Sequence, residues 1–154
     1  MNLSPSQPAF TVGQRASFSK TLTEADVSTF AGLVGDFDPL HVDAEYARRS
    51  RFGRRTVHGI LAGGLISTVL HNRLPGPGSV CLRQQIEFLA PIFIGDTITA
   101  EVEVAAWQPD KRLVTLKTDC YNQEGQQVIS GQAVSLIPLQ EPKEVVELAN
   151  VPEI

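Results

Sequence analysis

The sequence predicts an α+β fold in which one long, buried helix lies on an antiparallel sheet. Three observations predict it. Gly59–Leu70 is the longest mostly apolar stretch, and apolar residues on more than one face mark a buried helix. Thr97–Trp107 alternates, with Ile98, Ala100, Val102 and Val104 on one face and Thr99, Glu101 and Glu103 on the other. Between these segments, at Leu74-Pro75-Gly76-Pro77-Gly78, helical signals give way to strand-like ones.

The elements follow in order. Gln14–Thr21 reads as a short strand. Thr23 with Asp26 three positions on makes a capping box, and Val27, Phe30, Ala31 and Val34 continue at helical spacing until Gly35 stops the helix. Gly35 and Pro39 exclude regular helix from the next segment, and Asp43 caps a second short helix through Ala44–Arg49. The long helix spans His58 to Asn72, and its small residues Ala62, Gly63 and Gly64 leave room for a strand or another backbone to approach. Four strands follow: Ser79–Leu89, Thr97–Trp107, Leu113–Tyr121 and Gln126–Ile137. They are separated by turns at Gly95-Asp96, Gln108–Lys111 and Asn122–Gly125. The tail after Pro138 reads as an appendage, which divides the chain into a domain over 1–138 and a tail over 139–154.

Size and composition narrow the function. The chain has 154 residues, enough for one domain with its own core, and a net charge of −4, which disfavours polyanions such as nucleic acid as partners. The two cysteines, Cys81 and Cys120, lie in apolar alternating stretches without metal-ligand spacing, which fits a reducing compartment. Met1–Phe10 lacks the order of a signal peptide, and Gly59–Leu70 is too short to cross a bilayer, so a cytoplasmic protein without a membrane partner is expected.

Four groups of residues carry chemical potential. In Gly35-Asp36-Phe37-Asp38-Pro39-Leu40-His41, two carboxylates and an imidazole share a segment whose shape Pro39 constrains. A carboxylate can orient or deprotonate water, and a histidine exchanges protons near neutral pH. On composition alone a solvated loop, with an Asx turn at Asp38 and His41 capping the next helix, is the stronger reading. In Thr56-Val57-His58-Gly59, unpaired N–H groups at a helix start can hold a developing oxyanion, and Gly59 leaves its own N–H open to a carbonyl. By pattern alone His58 is better read as a packed core histidine. Ser67, about two turns beyond Gly59, can present a hydroxyl to substrate or bond back to its own helix, and no nucleophile elbow surrounds it. Arg48, Arg49, Arg51, Arg54 and Arg55 form either an anion site or a solvated turn.

Taken together, Asp36-Phe37-Asp38-Pro39-Leu40-His41 followed by Val57-His58-Gly59 resembles the MaoC-like (R)-specific enoyl-CoA hydratases of the hotdog superfamily. These carry a D-x-N-P-x-H segment and then a V-H-G helix start. The likeness continues through Leu74-Pro75-Gly76, Phe88, Pro91, Phe93 and Gly95-Asp96, covering roughly Phe10 to Pro138. The resemblance implies a single hotdog domain, its long helix wrapped by the sheet, working as a homodimer on acyl-CoA without metal or organic cofactor. It implies that Asp36 activates water, that His41 assists and exchanges the α-carbon proton, and that Gly59 N–H binds the thioester oxygen. Ser67 would steady the carboxylate or line the acyl pocket with Leu70, and Arg54 and Arg55 would reach the coenzyme A phosphates. The implied reaction is (R)-specific hydration of trans-2-enoyl-CoA, linking fatty-acid oxidation to uses such as polyester synthesis.

Three other functions fit the same features: dehydration of a 3-hydroxyacyl group on an acyl carrier protein, thioester hydrolysis, and acyl-CoA binding without turnover. The last gives no reason for the Asp36/His41 pair. One departure from the family pattern is Asp38, where asparagine is most common. A carboxylate cannot donate as an amide does, and its charge beside Asp36 is expected to shift the pH profile without abolishing activity.

Overall fold

A computed structural model describes residues 9–139. Strand β1 (Arg15–Thr21) leads to helices α1 (Glu24–Val34), α2 (Pro39–Val42), α3 (Ala44–Arg49) and α4 (Gly59–Asn72). Strands β2 (Val80–Phe88), β3 (Thr97–Gln108), β4 (Leu113–Tyr121) and β5 (Gln127–Leu136) follow. The five strands form one sheet in the order β1-β3-β4-β5-β2, every pair antiparallel. This is the expected α+β arrangement. The tail expected over 139–154 lies, beyond Leu139, outside the described residues.

Local sequence accounts for the ends of these elements. Asp26 N–H donates to the Thr23 hydroxyl (3.2 Å), and the Asp26 carboxylate accepts from Thr23 N–H (2.9 Å), closing the capping box at α1. Gly35 ends α1 in the left-handed region (φ 78°), its N–H donating to the Ala31 carbonyl at 2.8 Å. One expectation is corrected here. Regular helix is excluded only as far as Asp38, because Pro39 opens α2 as its first residue, where its missing N–H costs nothing. The Asp38 carboxylate caps that turn, accepting from Leu40 N–H at 2.8 Å. Asp43 caps α3 as expected, accepting from Tyr46 N–H at 3.0 Å.

The core lies between α4 and the inner face of the sheet. Ala62, Leu65, Ile66, Val69 and Leu70 pack against Ile98, Ala100, Val102 and Val104 of β3, with Leu116 and Ile129 beyond. Each such aliphatic side chain contributes roughly 1.5–3 kcal/mol by leaving water. The small residues of α4 make room for side chains of β2 rather than for backbone: a Cβ on Gly63 would lie 3.0 Å from Ile86 Cδ1, and one on Gly59 2.6 Å from Phe88 Cε1. Backbone does approach closely at Gly131, where a Cβ would lie 2.4 Å from the Gln85 carbonyl oxygen. The opposite face of β3 is polar, as its alternation predicts, and Arg15 pairs there with Glu101 and Glu103.

Candidate active site

The two motifs are joined by backbone before any side chain is considered. Thr56 N–H donates to the Leu40 carbonyl (3.0 Å), and Val57 N–H donates to the Ile92 carbonyl (2.7 Å). The start of α4 is thereby fastened to the Asp36–His41 segment on one side and to the sheet connection on the other.

Side chains then meet at that junction. The His41 ring stacks on the His58 ring at 3.9 Å with 28° between planes, and Phe30 meets His58 edge-on at 4.9 Å. Asp36, His41 and His58 bring one polar atom each to within 4.8 Å of one another. His41 Nδ1 lies 2.7 Å from the Thr56 carbonyl oxygen and His58 Nε2 lies 3.0 Å from that of Asp36. A carbonyl can only accept, so each of these nitrogens carries the proton. His41 is left with a lone pair on Nε2, the form a general base requires. His58 is left with Nδ1 bare, buried and without a partner among the described residues.

Asp36 keeps about half of its side chain exposed (49%), and its Oδ1 accepts from Asp38 N–H at 3.2 Å. The carboxylate is thus fixed in direction yet open to water. The N–H of Gly59, at the first helical position, has no carbonyl a turn earlier to bond, and His58, the N-cap residue of α4, makes no side-chain cap bond. Two imidazoles stacked in nearly parallel planes do not aim their lone pairs at one point. A carboxylate and two imidazoles so placed can exchange protons with a bound molecule.

Other expected residues lie elsewhere. The Ser67 hydroxyl is 3.2 Å from His71 Nδ1, within its own helix and outside the trio. Leu70 is buried in the core between α4 and the sheet. The arginine cluster is dispersed: Arg48 pairs with Glu45 (3.0 Å), Arg55 with Glu24 (2.6 Å), and Arg54 lies over the Phe93 ring at 3.9 Å. His58 is packed, as its pattern predicts (2% exposed); that it also lies beside Asp36 and His41 is not written in the sequence, because the contact with Asp36 spans 22 residues.

Comparison with known proteins places the chain. Residues 7–124 match the family described as MaoC like domain. The (R)-specific enoyl-CoA hydratase of Rhodospirillum rubrum is 46% identical over 126 residues, 82% of this chain and 87% of that protein. The structure of the A. caviae (R)-hydratase involved in PHA biosynthesis superposes with a TM-score of 0.83 at 43% identity, covering 86% of this chain and all (100%) of that one. A mitochondrial 3-hydroxyacyl-(acyl-carrier-protein) dehydratase of Solanum lycopersicum is 31% identical over 129 residues, 82% of this chain and 77% of that protein. The chain belongs to the MaoC-like family, has its hotdog fold, and is an enzyme of the hydro-lyase class.

Proposed function

We propose that the chain hydrates trans-2-enoyl-CoA to (R)-3-hydroxyacyl-CoA, and catalyses the reverse dehydration, within a catalytic domain over 1–138. The observation that carries this reading is the meeting of Asp36, His41 and His58 within 4.8 Å at the start of α4. Addition of water to a 2-enoyl thioester builds negative charge on the thioester oxygen while oxygen attacks the β carbon. Asp36, exposed and directed, is the group that activates the water. His41, with its Nε2 lone pair free, assists and exchanges the proton at the α carbon. Gly59 N–H is the donor for the thioester oxygen, aided by the positive end of α4.

Coenzyme A is favoured over a protein carrier. Docking an acidic carrier would call on the arginine cluster, in which Arg48 and Arg55 are matched by Glu45 and Glu24 and only Arg49, Arg51 and Arg54 lack a carboxylate partner among the described residues. Arg54 has no carboxylate partner among the described residues, which makes it the better candidate for a coenzyme A phosphate. We assign Ser67 and Leu70 to the acyl side of the site and the reaction to the cytoplasm, where the free thiols Cys81 and Cys120 would stay reduced. Among the described residues no helix is long and apolar enough to cross a membrane.

A homodimer completes the proposal. Strand β2 is the last of the sheet, and Val80, Leu82, Phe88 and the adjoining Leu89 are exposed there, an unpaired apolar edge that a second copy would cover. Light scattering should give twice the 16.7 kDa chain mass. The function is tested by following loss of the enoyl-thioester absorbance with crotonyl-CoA for wild type, Asp36→Asn and His41→Ala. Undiminished turnover in both variants would overturn it, and faster turnover of a carrier-linked substrate would transfer the assignment to the acyl carrier protein.

A further inference from the structure

We propose that His58 is a positioning residue for this reaction, holding Asp36 by its main chain and setting it against the Gly59 peptide while touching no substrate atom. The inference rests on reading Asp36 and His41 as the acid–base pair.

Asp36 follows the left-handed Gly35 and precedes Asp38, in a stretch belonging to neither α1 nor α2. Its carbonyl oxygen is anchored by His58 Nε2–H at 3.0 Å. His58 is itself immobile: 2% exposed, stacked on His41 and met edge-on by Phe30. Its ring turns away from the helix it caps, leaving that end without a side-chain cap, and spends its N–H on Asp36 instead. Its own carbonyl accepts from Leu61 N–H at 3.0 Å, closing the first turn of α4. One residue therefore fixes both the peptide that carries the carboxylate and the peptide that precedes the Gly59 N–H. The Asp36 carboxylate lies farther off, its Oδ2 3.9 Å from His58 Nε2, so the main-chain carbonyl is the group that the ring holds.

The test uses the full chain, with kcat and KM for crotonyl-CoA measured for wild type, His58→Phe and His58→Gln. Phenylalanine keeps the ring and its stacking but lacks the N–H; glutamine lacks the ring but carries an N–H near the Nε2 position. His58→Phe is expected to lose about 10- to 100-fold in kcat, with KM within about threefold and a melting temperature near wild type, because small misplacements of reacting groups cost this much. His58→Gln is expected to recover most of that loss. A kcat for His58→Phe close to wild type overturns the proposal. So does a glutamine variant no better than phenylalanine, or a loss of kcat that merely tracks a loss of melting temperature. A readout independent of turnover is the Phe37 amide nitrogen shift, which reports the hydrogen bond on the Asp36 carbonyl. It should move in His58→Phe and return in His58→Gln, and an unmoved shift overturns the tether even if wild type fails to hydrate crotonyl-CoA. That failure would instead sink the reading of the site.

Discussion

His41 donates through Nδ1 to the carbonyl oxygen of Thr56 at 2.7 Å, so the histidine of one motif takes its tautomer from the backbone of the other. The carbonyl leaves His41 Nε2 as the basic nitrogen without help from any carboxylate. His41→Ala and Asp36→Asn are each expected to lower kcat by about 10²–10⁴-fold, the usual scale of a general acid–base group. Both residues lie outside the core, so melting temperatures should change little. A variant losing activity only in proportion to folded protein would refute the roles given to them.

Two glycines separate stability from activity. Gly131→Ala sets a Cβ 2.4 Å from the Gln85 backbone oxygen, where β2 and β5 pair and neither strand can yield cheaply. A destabilisation of about 3 kcal/mol is expected, visible in a denaturant melt. Gly59→Ala meets the outer atoms of the Phe88 ring at 2.6 Å, and a side-chain ring yields more readily than the backbone oxygen that faces Gly131. Here turnover should fall more than stability, because the methyl group crowds the approach to the proposed oxyanion donor. Equal loss of both properties in Gly59→Ala would count against that donor.

Acid should weaken the start of α1. The Lys20 ammonium, bonded to the Asp26 carboxylate at 2.7 Å, and then the Thr23 N–H lower the Asp26 pKa from 3.8 to about 2. A depressed carboxylate stabilises the fold above its unfolded pKa and loses that contribution as pH falls through the folded one. Asp26→Asn should therefore cost roughly 1 kcal/mol at pH 7, the scale of a helix cap. The gap to wild type should close as pH drops from about 4 to about 2. Thermal melts across that range decide it, and a gap that persists at the acid end would contradict the linkage.

Asp38 gives a sharper test of the family pattern. Its carboxylate oxygen caps α2 through Leu40 N–H, a bond an asparagine oxygen would make equally well. Asp38→Asn is thus expected to leave the melting temperature unchanged, since the cap is kept. A clear drop in melting temperature would mean that the Asp38 carboxylate does more than cap α2.

Where a signal was local, the sequence was readable. The period-two pattern of β3, the Thr23/Asp26 box and the Gly35 stop each depend on residues within one turn or one strand, and the structure has all three. The short helix α2 was written there too, as Asp-Pro in cap and first-turn positions, but the strong cap at Asp43 drew the boundary too late. What the sequence hid depends on the folded path of the chain. The hold of His58 on Asp36 crosses 22 residues, and the match of Arg55 to Glu24 crosses 31. Neither follows any period, so an arginine cluster that looks like one feature is shared among unrelated partners.

The bond between Thr56 and Leu40 has a consequence for how this scaffold can change. It closes a loop of chain whose two ends hold the reacting groups and whose middle, residues 43–55, carries α3 and most of the arginines. With the ends clamped, the exposed charges of that middle can be exchanged while the proposed reacting groups keep their places. Such a segment is an interchangeable handle, by which one catalytic centre could be refitted for a different acyl carrier while its reaction stays the same.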